Sequence, residues 1–462
     1  MTNTLPSRTS ARARQSAVGQ HKHKRSAIDV GMGLLTPLLG REFLDRHGLR
    51  EPLNQALRFG VKHGFSAAGA STRQFKKIQG RGKTATRLSR STADYFDLTP
   101  DDDQRMIVET VKEFAEEILR PAARDADADA AYPPDLIARA AELGVTAIKV
   151  PEEFDGIAEQ RSAVTNALVA EALAYGDMGL ALPIVAPGGV ASALTHWGSA
   201  DQQGTYLKEF AGDNVPQACV AIAEPHPLFD PTMLKTTAVR TPSGYRLDGV
   251  KSLVPAAAEA ELFIIAAQFN GKPALFIVES DTAGVTVKAD RSMGLRAAGI
   301  GQVELNKVTV PLSARLGEDA ADADYARDYS EAIALSRLGW ASLAVGTSHA
   351  VLDYVIPYVK EREAFGEPIA RRQAVAFMCA NIAIELDGLR LITWRGASRA
   401  DQGLPFAREA ALAKKLGSDK GMQIGLDGVQ LLGGHGYTKE HPVERWYRDL
   451  RAIGVAEGVV VL

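Results

Sequence analysis

Residues 430–448 read QLLGGHGYTKEHPVERWYR, and nine positions further on stand Glu457 and Gly458. The stretch runs from Gln430 through an apolar pair into Gly433 and Gly434, and leads on to Arg448-Asp449. Glycines let a backbone approach a ligand closely, and a side-chain amide donates to phosphate oxygens. Upstream, Arg362-Glu363-Ala364-Phe365-Gly366 leads to Gln373, and the guanidinium fork matches the geometry of phosphate. Together these residues have the chemistry to hold a pyrophosphate. Glu457 is a candidate base.

In order and spacing the two segments resemble the acyl-CoA dehydrogenase family of flavoenzymes, over roughly residues 95–458, with residues 430–448 the most specific part. The resemblance implies an α+β fold: an N-terminal helical domain, a middle β-domain and a C-terminal helical bundle. It also implies bound FAD, an acyl-CoA substrate and an electron-transfer flavoprotein as acceptor. By resemblance, Glu457 removes the α-proton of the thioester while the flavin takes the β-hydrogen as hydride. Arg362 and Gln373 are similar to family residues that reach the FAD of a neighbouring subunit, with Phe365 packing on it. Gln430, Leu431, Leu432, Gly433 and Gly434 match the segment approaching the adenine and pyrophosphate. Arg337 matches an arginine under the flavin region and is the candidate substrate-binding residue. Some family members carry the base on an earlier helix, at the position of Ser336, and a serine cannot serve there.

Composition allows this reading. A chain of 462 residues exceeds one ordinary core, so several packed units are expected: a basic extension over 1–95, then domains over 96–217, 218–315 and 316–462. Hydrophobic residues make up 46%, as in a soluble globular chain. Cys219 and Cys379 are the only cysteines, which excludes a disulfide framework and points to a reducing compartment, the cytoplasm or, in a eukaryote, the mitochondrial matrix. The uncharged stretch 178–200 is interrupted by Pro183, Pro187, Gly188 and Gly189, so no transmembrane segment is expected.

Charge divides the chain. The first 93 residues carry 18 Lys and Arg against 4 Asp and Glu, the remainder 35 against 52. The arm's start, residues 7–26, lacks apolar periodicity and is expected to be disordered; its Arg- and Ser-rich, acid-poor character also permits a transit peptide. No nucleic-acid partner is expected.

From Leu98 onward the periods are regular. Thr99 is expected to cap a helix with Pro100 at its first position and Asp101, Asp102 and Asp103 in the first turn; Pro121 is expected to end it. Further helices are expected near 134–143 and 163–175. Short runs rich in β-branched residues at 236–240, 245–247, 262–267, 274–279, 285–289 and 302–310 predict a β-domain. Helical periodicity returns over 322–433, with Leu335, Leu338 and Val345 on one face beside Ser342 and Gly346. A closing bundle of this kind commonly supports oligomer contacts.

Two phosphate-like motifs do not hold. Gly80-Arg81-Gly82-Lys83-Thr84 lacks the first glycine of a P-loop, where Lys77 stands, and Gly31-Met32-Gly33 is followed by Thr36 in place of a third glycine. The nine histidines show no metal-ligand spacing.

Departures from the family pattern fall on the flavin-ring side. A glycine- and serine-containing loop is replaced by His226-Pro227-Leu228-Phe229-Asp230, and the tryptophan and threonine of the next strand by Leu253 and Pro255. Proline has no hydroxyl and no backbone donor. Beyond Glu457, Val459 and Val461 take the place of polar flavin contacts. Three functions stay open: an acyl-CoA dehydrogenase in a homotetramer, a non-catalytic or half-site subunit lending Arg362, Gln373 and Gln430 to a related partner in a heterotetramer, and an acyl-CoA oxidase.

Overall fold

The computed structural model describes residues 99–158, 162–212, 214–318 and 324–462. The basic arm and both glycine motifs set aside above lie outside the described residues.

The first helix, α1 (Asp102–Phe114), is capped by Asp101, not Thr99. The Asp101 carboxylate accepts from Gln104 N at 2.7 Å, and the Gln104 side chain accepts from Asp101 N at 3.2 Å. This reciprocal pair satisfies two otherwise orphaned donors, which moves the start two residues along. Pro121 does not stop the helix either. A wide turn over Ala115–Leu119, in which Arg120 N–H donates to Ala115 O five residues back, makes room for the ring, and the chain continues as α2 (Arg120–Asp129).

After α3 (Leu136–Glu142) come α4 (Ala163–Gly176) and α5 (Met178–Trp197). The start of α4 is held from two sides: Ser162 accepts from Thr165 N, while Asp401, from a helix 238 residues later, accepts from Ala163 N at 2.6 Å and Val164 N at 3.1 Å. By length and apolarity α5 could cross a membrane, but it lies inside the protein, with Leu180, Leu182, Ile184 and Leu194 at most 2% exposed. Each such side chain contributes about 1.5–3 kcal/mol by leaving water. Pro183 and Pro187 lie within this helix. Its neighbours therefore supply the stability that two prolines remove.

A short helix, α6 (Ala200–Tyr206), leads into the β-domain: β1 (Ala218–Ala221), β2 (Thr237–Thr241), β3 (Gly244–Val254), β4 (Leu262–Phe269), β5 (Lys272–Glu279), β6 (Val285–Ala289) and β7 (Gly301–Val310). Their order is β1-β4-β2-β3-β7-β6, with β5 pairing β4. Sequence reading located six of these runs and missed β1, whose four buried residues, Ala-Cys-Val-Ala, include a single β-branched one. It also shortened β3, which continues through two irregularities in register, one of them between Lys251 and Val254.

The closing helices are α7 (Tyr325–Glu361), α8 (Gln373–Asp401), α9 (Ala407–Leu416), α10 (Met422–Leu431) and α11 (Val443–Leu450), with a small hairpin of β8 (Glu363–Ala364) and β9 (Glu367–Pro368) between α7 and α8. Leu335, Leu338, Ser342, Val345 and Gly346 are buried along α7 as their spacing predicts. Helical, β and helical segments follow in the expected order.

A buried ionic cluster ties α5, α11 and the β6–β7 connection together. Arg445 Nε lies 2.8 Å from Asp177 Oδ2, and Asp449 accepts from Leu295 N at 2.6 Å. Burial, then the nearby Asp177 charge, pushes the Asp449 carboxyl up to about 8. The folded protein thus keeps a proton that the unfolded chain releases near pH 4. Between these values the unfolded state binds fewer protons, so stability falls as pH rises toward 8. Urea midpoints measured from pH 5 to 8 should decline for the wild type and flatten in Asp449→Asn; an unchanged slope in that variant would assign the dependence elsewhere.

Candidate active site

Three residues of one α7 turn, Ser336, Arg337 and Trp340, reach Glu457 and Gly458. Arg337 holds the Glu457 carboxylate in a fork, Nη2 to Oε1 at 3.0 Å and Nε at 3.2 and 3.4 Å to the two oxygens. Ser336 Oγ and Trp340 Nε1 both donate to Gly458 O, at 2.6 and 2.9 Å. On the other side Lys414 Nζ donates to Ala456 O, and Val459 N donates to Val220 O of β1 at 2.9 Å. Gly458 sits at φ +82°, where an added Cβ would meet Val220 O at 2.8 Å, so glycine is required by both backbone and space. The Glu457 side chain is 10% exposed and that of Arg337 28%. Glu457 N–H has no acceptor among the described residues. It is available to a ligand carbonyl.

Ser336 therefore fixes the backbone of the segment that carries the carboxylate. Lys414 was not legible as part of the site, since a lysine on a helix beside Ala410 and Ala413 carries no chemical signal of its own. Burial lowers its ammonium to about 8 while the Glu457 charge opposes that shift. Tyr329 was missed too; its hydroxyl donates to Pro231 O at 2.6 Å. Burial first, and the Glu457 and Glu224 charges next, push that hydroxyl well above its usual range.

The loop 226–233 is thus pinned beside Arg337 and Glu457, and the Arg337 charge acts on Asp230. Its anchor is Glu224, which accepts from Lys235 N, Thr236 N and the buried Lys251 Nζ at 2.7, 2.9 and 2.9 Å. Burial pushes Glu224 up, but the Lys251 charge and these donors prevail and leave its carboxyl at about 2. Leu228, at φ +55°, is 99% exposed. Leu253 also has φ +55° and falls at the β3 irregularity, Pro255 is buried after it, and Ala256 N is bound to Ala298 O. Positions 253 and 255 offer no side-chain donor.

The phosphate-type residues lie elsewhere. Arg362 follows α7 directly, and its guanidinium is exposed with no partner among the described residues. Gln373 and Gln430 are likewise exposed and unpartnered, and Phe365 is 94% exposed. Gly433 and Gly434 have open space where a Cβ would stand, as does Gly366. Leu431 and Leu432 instead turn their side chains into the core, 4% and 3% exposed. Tyr358, one turn before Arg362, bonds Leu432 O and His435 Nδ1 at 3.2 and 2.8 Å. This contact brings the two sequence segments together at one end of α7. Arg337 and Arg362 are 25 residues apart, or about 38 Å along a helix. The two clusters therefore lie at well-separated points of one chain.

Comparison with known proteins agrees with this architecture. The acyl-CoA dehydrogenase N-terminal, middle and C-terminal domain profiles match residues 101–213, 219–308 and 327–459. The mitochondrial short-chain specific acyl-CoA dehydrogenase of Mus musculus is 31% identical over 366 residues, 77% of this chain and 86% of that protein. An acyl-CoA dehydrogenase of Bacillus subtilis is 30% identical, covering 77% and 94%. Among solved structures, butyryl-CoA dehydrogenase from Megasphaera elsdenii superposes with a TM-score of 0.71 at 26% identity, over 78% of this chain and 95% of that one. The chain belongs to the acyl-CoA dehydrogenase family of flavoprotein oxidoreductases.

Proposed function

We propose that the protein catalyses FAD-dependent α,β-dehydrogenation of an acyl-CoA thioester to the trans-2-enoyl-CoA, and passes the electrons to an electron-transfer flavoprotein. The observation that carries this reading is Glu457, a carboxylate held at an ordered, partly covered position next to its own unused N–H. A thioester carbonyl accepting that N–H becomes more electron-withdrawing, which acidifies the α-carbon beside the carboxylate. The Arg337 fork orients Glu457 in the resting protein, and rotation of the carboxylate out of the fork frees an oxygen to take the α-proton. FAD, when bound, supplies the acceptor for the β-hydrogen. Arg337 remains as a partly exposed cation beside Glu457, where it suits the anionic phosphates of a CoA ester.

The residues fit FAD unevenly. The exposed guanidinium of Arg362, the amides of Gln373 and Gln430, the exposed ring of Phe365 and the open backbone at Gly433 and Gly434 fit a pyrophosphate and adenine. Lying well apart from Glu457 and Arg337, these residues serve a neighbour's cofactor in a homotetramer located in the cytoplasm. At the ring-side positions Leu253 and Pro255 no side-chain donor is offered, because both are apolar. That observation favours a second reading: a half-site subunit of a heterotetramer, lending its phosphate residues to a related dehydrogenase chain.

Flavin stoichiometry against mass by light scattering separates the two. One flavin per chain in a homotetramer, with dye reduction on adding acyl-CoA, supports the first; flavin and activity that appear only on co-expression with a related subunit support the second. In either assembly Arg362→Ala should lower flavin content by about 10-fold or more without a change in melting, since the side chain is exposed and has no polar partner among the described residues. Full flavin content with a sharp fall in melting would make Arg362 structural.

A further inference from the structure

Beyond Glu457 the chain folds inward as a strap. Val459, Val460, Val461 and Leu462 are at most 2% exposed, and they lie between α5, α7 and β1. Their seat is built from glycines. A Cβ on Gly189 of α5 would lie 2.1 Å from Val459 O, and one on Gly339 of α7 would lie 2.1 Å from Val460 O. Any side chain at either position would expel the strap. At its inner side the half-buried Lys149, with no carboxylate partner among the described residues, donates from Nζ to Val461 O at 3.0 Å. The lysine stem runs over Gly188, where a Cβ would touch Cδ at 2.9 Å. Burial lowers that ammonium to about 7, and a backbone carbonyl is the polar group it finds there.

The position of this strap bears on the substrate of the dehydrogenation proposed above, and rests on that reading. If Glu457 takes the α-proton, the α-carbon lies at its carboxylate. The CoA portion is large and anionic, and belongs on the exposed flank, where Arg337 is partly open to solvent. The remainder of the acyl group then points the other way, inward between α5 and α7. These helices are apolar and would make a slot for an alkyl chain. The slot is already filled by three valines and a leucine, aliphatic groups chemically equivalent to the chain they exclude.

We propose that residues 459–462 are the chain-length stop of the acyl site, and that the substrate is a short-chain acyl-CoA. A longer chain has to displace side chains seated at core packing density, and one methylene in an apolar pocket is worth roughly 10- to 200-fold. The strap is also continuous with the base. A chain that pushed it aside would move Glu457 away from the α-carbon.

The test is a chain-length series on the purified flavin-loaded protein, in whatever subunit assembly carries flavin: butyryl-, octanoyl- and dodecanoyl-CoA, followed by calorimetric binding and by dye reduction. Butyryl-CoA should exceed octanoyl-CoA in kcat/KM by about 100-fold or more, and the binding constants should fall in the same order. Dodecanoyl-CoA bound and oxidised as well as butyryl-CoA overturns the stop. Binding of the series in the expected order without oxidation of any member keeps the stop and overturns the dehydrogenase reading. The double variant Val461→Ala/Leu462→Ala, checked for an intact melting transition, should move the optimum toward octanoyl-CoA. An unchanged profile in the folded variant also counts against the stop, and the wild-type series decides if the variant does not fold.

Discussion

In Glu457→Gln, turnover falls by about 10² to 10⁴, the range expected when a positioned base is lost, while flavin content and acyl-CoA affinity stay close to wild type. The amide keeps the shape of the carboxylate and an oxygen for Arg337, so the fork survives in part and only the proton acceptor disappears. The Arg337 head is partly exposed, and an unpaired guanidinium there costs little because water takes over. Rapid-mixing measurement of flavin reduction reads the chemical step directly. Near-normal reduction in this variant would remove Glu457 from the mechanism and direct attention to Asp230, the other carboxylate close to Arg337.

The largest stability effect is expected at Arg445→Met. Asp177 is fully buried and Arg445 is 7% exposed, and the guanidinium is the partner that makes the Asp177 charge tolerable. Asp177 also caps α5 through Leu180 N at 3.1 Å. Removing the cation leaves a buried carboxylate with one backbone donor, and losses of about 3–5 kcal/mol follow from breaking such a pair. Denaturant unfolding of the single variant and of Asp177→Asn/Arg445→Met checks this. The double variant should recover part of the loss, because the uncompensated charge is gone; a double variant as unstable as the sum of its parts would mean that the two side chains act independently.

The features legible in the sequence were those carried by local pattern. The long apolar face of α7 could be read from its helical spacing, and six of the seven sheet strands because they are short runs rich in β-branched and aromatic residues between turn formers. Features set by distant partners could not. The start of α1 moved because Gln104 completes a reciprocal cap, Pro121 was absorbed by a wide turn, and α5 survives two prolines because it is packed on all sides. The site followed the same division. Glu457, Arg362 and Gly433-Gly434 stand out by residue type and order, and so did the apolar replacements at Leu253 and Pro255. Ser336, Trp340, Lys414 and Lys149 act on backbone carbonyls of residues 456–461, and a hydrogen bond to a carbonyl leaves no mark in the partner's residue type. The fork between Arg337 and Glu457 joins positions 120 residues apart, which no local pattern announces.

The cap that Asp401 places on α4 has a consequence for synthesis. During translation the first turn of α4 emerges with two backbone donors whose partner lies more than 200 residues downstream. At ribosomal speeds of about 5–20 residues per second, that partner arrives more than ten seconds later. Until then the N-terminal helices exist as a nascent layer with a frayed edge and an uncovered apolar α5. The chain is thus committed to late closure: the residue that seals the start of α4 is made more than 200 residues after it, and a product truncated before Asp401 is exposed at that edge to chaperones and proteases.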